Sequence, residues 1–184
     1  MPRVPPRPDT QRDLTPVDGL AFREAVGRFA TGVTVVTTVY DDTLHGMTAN
    51  AFASVSLDPP LVLVCVDQSA GMHELLPRSR CFAVTVLESS QQQLSLFFAS
   101  KRRPGGHDQF ADVDWRPAPV TGSPVLQGGI AFVDCRVVEV HQGGDHSIFL
   151  GEVLDLGVLD AGGQPLLFFG GSYRTLHLSE NSMD

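Results

Sequence analysis

Nowhere among the 184 residues do two glycines stand two apart, so the G-x-G-x-x-G turn that seats a dinucleotide pyrophosphate is missing, and no G-K-[ST] phosphate loop replaces it. A nucleotide site in this chain has to be built another way. Lysine is almost absent: Lys101 is the only one among 13 basic residues, and it falls inside the one basic cluster, Lys101-Arg102-Arg103. Set against 21 acidic residues, the basic side chains leave a net charge of −8 and a pI near 5.1, which argues against a nucleic-acid partner. The three cysteines, Cys65, Cys81 and Cys135, have no C-x-x-C spacing and sit in apolar runs. That argues against a disulfide or zinc framework and predicts buried, reduced thiols. No apolar stretch approaches the roughly 20 residues of a membrane span. The opening MPRVPPRPDTQRD puts prolines where a secretory signal needs an apolar core, so a soluble, cytoplasmic protein is expected. H-E-x-x-H and G-x-S-x-G are also missing. His141 and His146 flank a Gly-Gly turn with no accompanying ligand pattern, and no metal site is predicted.

What is present suits one β-rich domain. Residues 1–17 read as a disordered Pro/Arg-rich tail, 18–178 as the domain and 179–184 as a short tail. Asp18 is placed to cap a helix whose Phe22, Val26 and Phe29 form an apolar stripe to lay on the sheet, with Gly32 ending it. Val33 to Tyr40 is nearly all β-branched and predicts a strand; Asp41-Asp42-Thr43 turns it into a second, His45 to Ser56. After Asp58-Pro59-Pro60 come Leu61 to Val66, a helical piece near Met72 to Leu76, and Cys81 to Leu87, the two apolar runs reading as buried strands. Ser90 to Gln93 matches a capping box ahead of a helix through Leu94, Phe97 and Phe98. Ser100 to Gly129 reads as a functional or mobile loop. Strands return at 130–140, 147–159 and 166–169. Strands outnumber helices without βαβ alternation, so the expected fold is a mainly β, Greek-key barrel with a few peripheral helices.

The segment 46–56, GMTANAFASVS, is rich in small and hydroxyl side chains. Small side chains let a flat ring approach the backbone, and the amides, Thr, Asn and Ser can bond a polar ring edge and a phosphate tail. An edge strand with solvated hydroxyls would carry the same residues. Likewise the Lys101 cluster fits a phosphate contact or a solvated loop.

Together, FREAVGRFATGVTVVTTV (22–39), GMTANAFASVSLDPPLVLVCV (46–66), FAVTVL (82–87), SPVLQGGIAFVDCRV (123–137), GGDH (143–146) and PLLFFGGSY (165–173) resemble the short-chain flavin reductase family, the reductase components of two-component flavin monooxygenases. The likeness runs from about Phe22 to Tyr173. It implies a flavin-binding split barrel, a homodimer with the flavin near the subunit interface, FMN or FAD as cofactor, and NADH or NADPH as hydride donor. It implies further that Thr48, Ala49 and Asn50 line the isoalloxazine, with Met47 a further cofactor-binding residue. Ser54, Val55 and Ser56 would follow the ribityl chain, and Cys65, Val66 and Asp67 would continue the wall. Ser100 and Lys101 match a phosphate-contacting position, which agrees with the placing of the sole lysine. Asp145-His146 matches a nicotinamide-side element, with His146 as the candidate catalytic residue bonding the carboxamide or offsetting charge on reduced flavin. Tyr173 is a candidate lid or a packing residue of the last strand. One departure stands out: relatives often carry Asp-Arg-Phe where this chain has Asp108-Gln109-Phe110.

The function so implied is reduction of flavin by reduced nicotinamide to supply a separate oxygenase. The alternative is a flavin carrier or sensor without turnover, since the same fold serves several activities.

Overall fold

The computed structural model describes residues 16–176. The tail expected over 1–17 lies outside the described residues apart from 16 and 17, as does the tail expected over 179–184. In chain order the elements are α1 (Gly19–Val26), β1 (Thr31–Gly32), β2 (Thr34–Tyr40), β3 (Thr43–Ala49), β4 (Phe52–Leu57), β5 (Pro60–Asp67), α2 (Gly71–Ser79), β6 (Cys81–Val86), α3 (Gln92–Ala99), β7 (Trp115–Pro117), β8 (Pro124–Leu126), β9 (Ala131–Gly143), β10 (His146–Val158), β11 (Leu167–Phe169) and β12 (Ser172–Arg174). The mainly β expectation holds.

One antiparallel sheet of seven strands dominates, in the order β3-β2-β6-β9-β10-β5-β4. Its two edge strands, β3 and β4, are neighbours in sequence, joined only by Asn50 and Ala51. Laid flat, seven strands would hold those edges roughly 29 Å apart, whereas the link from Ala49 to Phe52 reaches roughly 11 Å at most. The sheet must therefore curl round into a barrel whose seam lies between β3 and β4. Its interior is a single cluster drawn from strands all round the sheet, including Val36, Ala49, Val64, Phe82, Cys135 and Phe149. The second strand expected over His45–Ser56 is two strands because the chain crosses the seam at Asn50-Ala51.

β2 is buried on both faces. Val36 points into the barrel, while Val33 and Val35 join an outer cluster with Phe98, Phe110, Leu126 and Leu166. That double burial explains its unbroken β-branched run, and its hydroxyls are satisfied: Thr34 donates to the Ala49 carbonyl at 2.7 Å and Thr38 to that of Cys81 at 2.8 Å. β5 alternates instead, with Val62, Val64 and Val66 inside and Leu63, Cys65 and Asp67 outside.

Several local expectations are corrected. Asp18 does cap α1, accepting from the Ala21 N–H at 2.9 Å, but the helix ends at Val26 because Gly27 closes it, its N–H bonding the Arg23 carbonyl. Phe29 falls beyond it, and the stripe of Phe22, Val26 and Phe29 is exposed rather than packed. The capping box lies two residues before the expected one: Glu88 accepts from the Ser90 N–H and Gln91 returns to the Glu88 N–H, forming a 3-10 turn that leads into α3. The 100–129 segment is not a bare loop. It carries a 3-10 turn over Gly106–Phe110 and the β7–β8 hairpin, and it buries Gln109, Phe110, Val125 and Leu126. The buried Asp134 pins it from β9, accepting from the N–H groups of Val120 and Thr121 at 2.9 and 3.1 Å.

Candidate functional site: two adjoining cavities on the outer barrel wall

Two cavities meet on the outside of the barrel beside the seam. The larger, about 800 Å³, is walled by Asn50, Ala51, Phe52, Ala53, Leu63 and Cys65 on one side, and by Val26, Phe29, Thr31 and Phe168 on the other. The smaller, about 440 Å³, is lined by Met47, Thr48, Asp67, Ser69, Ala70, Lys101 and Arg103. They adjoin because Thr48 and Asn50 lie two residues apart, as do Cys65 and Asp67, and same-face neighbours on a strand sit roughly 7 Å apart. The first wall is mostly apolar with small side chains, and the second carries the only lysine.

The small side chains expected to admit a flat ring are thus where the larger cavity opens. Its one buried orphan is the Thr31 hydroxyl, which has no hydrogen-bond partner among the described residues. Cys65 faces this cavity as a free thiol, and partial burial pushes its pKa up, which keeps it protonated and inert.

At the smaller cavity, a clamp holds the loop that carries Lys101. The Arg103 guanidinium donates to the Ser100 carbonyl at 2.6 Å, to the Gly46 carbonyl at 2.8 Å and to Gln109 Oε1 at 3.4 Å. Gln109 accepts in turn from the Gly46 N–H at 3.1 Å, and its amide nitrogen lies 3.1 Å from His45 Nδ1. These bonds satisfy both backbone groups of Gly46 on the free edge of β3, which a sheet edge otherwise leaves open. His45, desolvated by burial and set beside Arg103, has its pKa lowered to about 4, so it stays neutral. In the Asp108-Gln109-Phe110 departure, Gln109 is a buried brace of β3 that lines the same cavity as Lys101.

The Asp145-His146 turn sits next to this cavity. β10 pairs with β5 so that His146 faces Asp67 directly. His146 Nδ1 lies 2.7 Å from Asp145 Oδ1, which directs the Nδ1 proton to the carboxylate and leaves Nε2 unengaged. Bonds from the Ser69 backbone N–H and side chain, chiefly, hold the Asp67 carboxyl below its usual range, and the His146 bond does the same for Asp145, so both are ionised near neutrality. His141 is turned to its own carboxylate, Glu139, at 2.8 Å. Among the described residues, no group of three or more His, Cys, Asp or Glu could hold a metal.

Of the residues picked from sequence, the structure brings together Met47, Thr48, Asp67 and Lys101 at one cavity and Asn50 and Cys65 at the other, with Asp145 and His146 alongside. It places the rest differently. The side chains of Ala49 and Val66 point into the barrel core, so only their backbone can reach a ligand. Ser54, Val55 and Ser56 lie on the edge strand β4 at a bulge and line neither cavity; Ser56 Oγ accepts from the Asp58 N–H. Ser100 Oγ is engaged by the Arg102 N–H at 3.1 Å. Tyr173 is packed edge-on to Phe168, with its hydroxyl 2.8 Å from Ser95 Oγ. Sequence reasoning missed the clamp residues His45, Arg103 and Gln109, and the wall supplied by Phe29 and Phe168. The sequence offered no signal for Phe29, whose stripe was expected to lie on the sheet.

The chain matches the flavin reductase like domain family over residues 26–177. It is 46% identical over 161 residues to an NADH-dependent FAD reductase of Streptomyces globisporus, spanning 88% of this chain and 87% of that one. It is 42% identical over 158 residues to HsaB, the reductase subunit of a flavin-dependent monooxygenase in Mycobacterium tuberculosis, spanning 85% and 82%. The solved structure of the NADH:FAD oxidoreductase SgcE6 of S. globisporus, in complex with NAD and FAD fragments, superposes with a TM-score of 0.82 at 41% identity, covering 90% of this chain and 95% of that one. With the barrel, the adjoining cavities and the extent of these matches in hand, the chain belongs to the flavin reductase like domain family.

Proposed function

We propose that this protein is an NADH-dependent flavin reductase that passes hydride to FMN or FAD and supplies reduced flavin to a separate monooxygenase. The observation that carries this reading is the β5–β10 register, which sets His146 beside Asp67 and so beside the cavity that Lys101 lines. The names of the relatives support NADH as donor and an oxygenase as recipient.

The residues present fit a flavin. The larger cavity falls within the few hundred to roughly 1,000 Å³ of small-molecule sites and has the flat, small-residue wall that a tricyclic ring needs. Its Thr31 hydroxyl can bond the polar ring edge, and the Lys101 ammonium in the adjoining cavity can neutralise a phosphate. When bound, flavin accepts the hydride that reduced nicotinamide donates. The protein's part is alignment. Ala51 and Ala53 allow close approach, Phe52 and Phe168 exclude water, and Asn50 and Thr48 offer polar contacts. His146, its Nδ1 proton directed to Asp145, presents Nε2 to accept from a carboxamide N–H. No general acid is required. Holding the two rings in register is where a rate advantage arises.

The same proposal includes a homodimer. Phe29 and Leu57 are 77% and 94% exposed, and with Phe22, Val55 and Leu156 they leave apolar surface open around α1, β4 and β10. Patches of this kind on a monomer mark interfaces. It also includes a cytoplasmic location, supported by three free cysteines. Among the described residues no helix is long and apolar enough to cross a membrane.

The test is turnover. Purified protein with NADH and excess FMN or FAD should consume NADH catalytically; stoichiometric flavin binding without consumption would identify a carrier instead. His146→Ala should raise the KM for NADH more than it weakens flavin affinity. Light scattering should give twice the mass of one chain.

A further inference from the structure

We infer that Gln68 is a positioning residue for the nicotinamide side of the site, latching the hairpin turn that bears His146 onto the loop between β5 and α2. This rests on the reading of His146 given above. The paired strands β5 and β10 end at Asp67 opposite His146, and Gln68 extends the ladder by one step, its N–H donating to the Asp145 carbonyl at 3.0 Å. Its side chain then folds over the hairpin tip. Nε2 donates to the Gly144 carbonyl at 3.2 Å and to the His146 carbonyl at 3.4 Å, which commits both amide hydrogens to one turn.

That commitment is informative because Gln68 is exposed. An exposed glutamine is free to hydrate, and fixing it costs side-chain entropy, so three bonds to one turn describe a latch rather than packing. The turn needs one. It is a two-residue hairpin loop, Gly144-Asp145, with Gly144 at φ 71°, a conformation that favours glycine and pairs no strand neighbour with the loop's own carbonyls. At the next residue a second tie appears: the buried Ser147 hydroxyl lies 2.9 Å from His73 Nε2 on α2. Residues 144–147 are therefore held at both ends from the segment that follows β5. The same segment lines the cavity of Lys101 through Asp67, Ser69 and Ala70. One short loop thus fixes the spacing between the phosphate end of the site and the histidine, and hydride transfer is sensitive to displacements of about 1 Å.

The experiment compares Gln68→Ala, Gln68→Glu, His146→Ala and the Gln68→Ala/His146→Ala double variant of the full chain. For each, the KM values for NADH and FMN, kcat, and the melting temperature are measured. Gln68→Ala should raise the KM for NADH by about tenfold, the scale of two lost neutral hydrogen bonds, with the KM for FMN within about twofold. Gln68→Glu keeps the shape but replaces the donor with a charge facing two carbonyls, so it should be at least as impaired. In the double variant, the loss should not exceed that of His146→Ala alone. The inference is overturned if Gln68→Ala leaves the KM for NADH unchanged, if it raises both KM values together, or if its effect adds in full to that of His146→Ala. An unchanged KM for NADH in His146→Ala alone refutes the role given to the histidine, and a Gln68→Ala effect persisting beside it shows that Gln68 does not act through that ring.

Discussion

Arg103 donates from Nη2 to the carbonyl oxygen of Gly46, 2.8 Å away, and so ties the loop carrying Lys101 to the free edge of β3. Its other donors also face inward, to Ser100 and Gln109. Of the Lys101-Arg102-Arg103 cluster, then, one arginine is spent on architecture.

Arg103→Ala should therefore act on stability and on flavin together. Removing a half-buried guanidinium with several charged hydrogen bonds should cost about 2–3 kcal/mol in urea unfolding. Because the loop it holds faces the smaller cavity, the KM for FMN should rise about tenfold while that for NADH moves within about twofold. Arg103→Lys keeps the charge but loses the planar fork, and should recover little of either. Normal flavin affinity in Arg103→Ala would show that the loop keeps its place without the clamp.

Lys101 gives a sharper contrast. If its ammonium neutralises the flavin phosphate, Lys101→Ala should weaken FMN by about tenfold, as expected for one charge-assisted contact. Riboflavin, which lacks the phosphate, should bind wild type and variant alike. Calorimetric titration of both ligands reads the difference directly, and rising salt should narrow the gap for FMN. Equal losses for FMN and riboflavin would place the lysine elsewhere than at the phosphate.

How much of this was legible beforehand depended on whether the signal was local. The β-branched run of β2 and the apolar run of β5 announced themselves because burial repeats along the strand. The seam at Asn50-Ala51 did not, because closure is a property of seven strands at once. Lys101 could be picked out by its rarity, and Asp145-His146 by family likeness. Gln109 and His45 could not, since a glutamine in an irregular segment reads as solvated until a strand edge is seen to need it. Val66 and Ala49 were drawn into the site list by their neighbours, although alternation turns their side chains into the core.

His45 predicts a pH dependence with a definite sign. Burial, aided by Arg103, lowers its pKa from 6.5 to about 4 in the folded protein. The unfolded chain thus takes up the proton first as pH falls. The associated stability is complete above pH 6.5, is lost between 6.5 and about 4, and is level below that. Allowing for solvent screening of a partly exposed ring, the loss should be roughly 2 kcal/mol. Glu88, held down to about 2 chiefly by bonds from Ser89 and Ser90, titrates lower, between 4.5 and 2, so of the two only His45 contributes above pH 4.5. Melting curves of wild type and His45→Asn across pH 4–7 should differ in slope only in the upper window. Parallel curves there would mean that His45 takes up its proton as readily in the folded protein as in the unfolded chain.

Tyr173 decides between a lid and a strut. Its hydroxyl lies 2.8 Å from Ser95 Oγ, and the Ser95 carbonyl accepts from the Thr48 hydroxyl at 2.6 Å. A continuous path of hydrogen bonds thus runs from β12 through α3 to the site strand β3, while the ring packs edge-on to Phe168 at 5.4 Å between centroids. A side chain held at both its ring and its hydroxyl is poorly placed to swing over a ligand. Tyr173→Phe should cost about 1 kcal/mol of stability, the worth of one neutral hydrogen bond, and leave kcat and both KM values within about twofold. Tyr173→Ala, which removes the ring as well, should cost about 3 kcal/mol or more. A lid would give the opposite pattern in Tyr173→Phe and Tyr173→Ala, with melting temperatures near wild type and a kcat that falls or a KM that rises as the ring is removed.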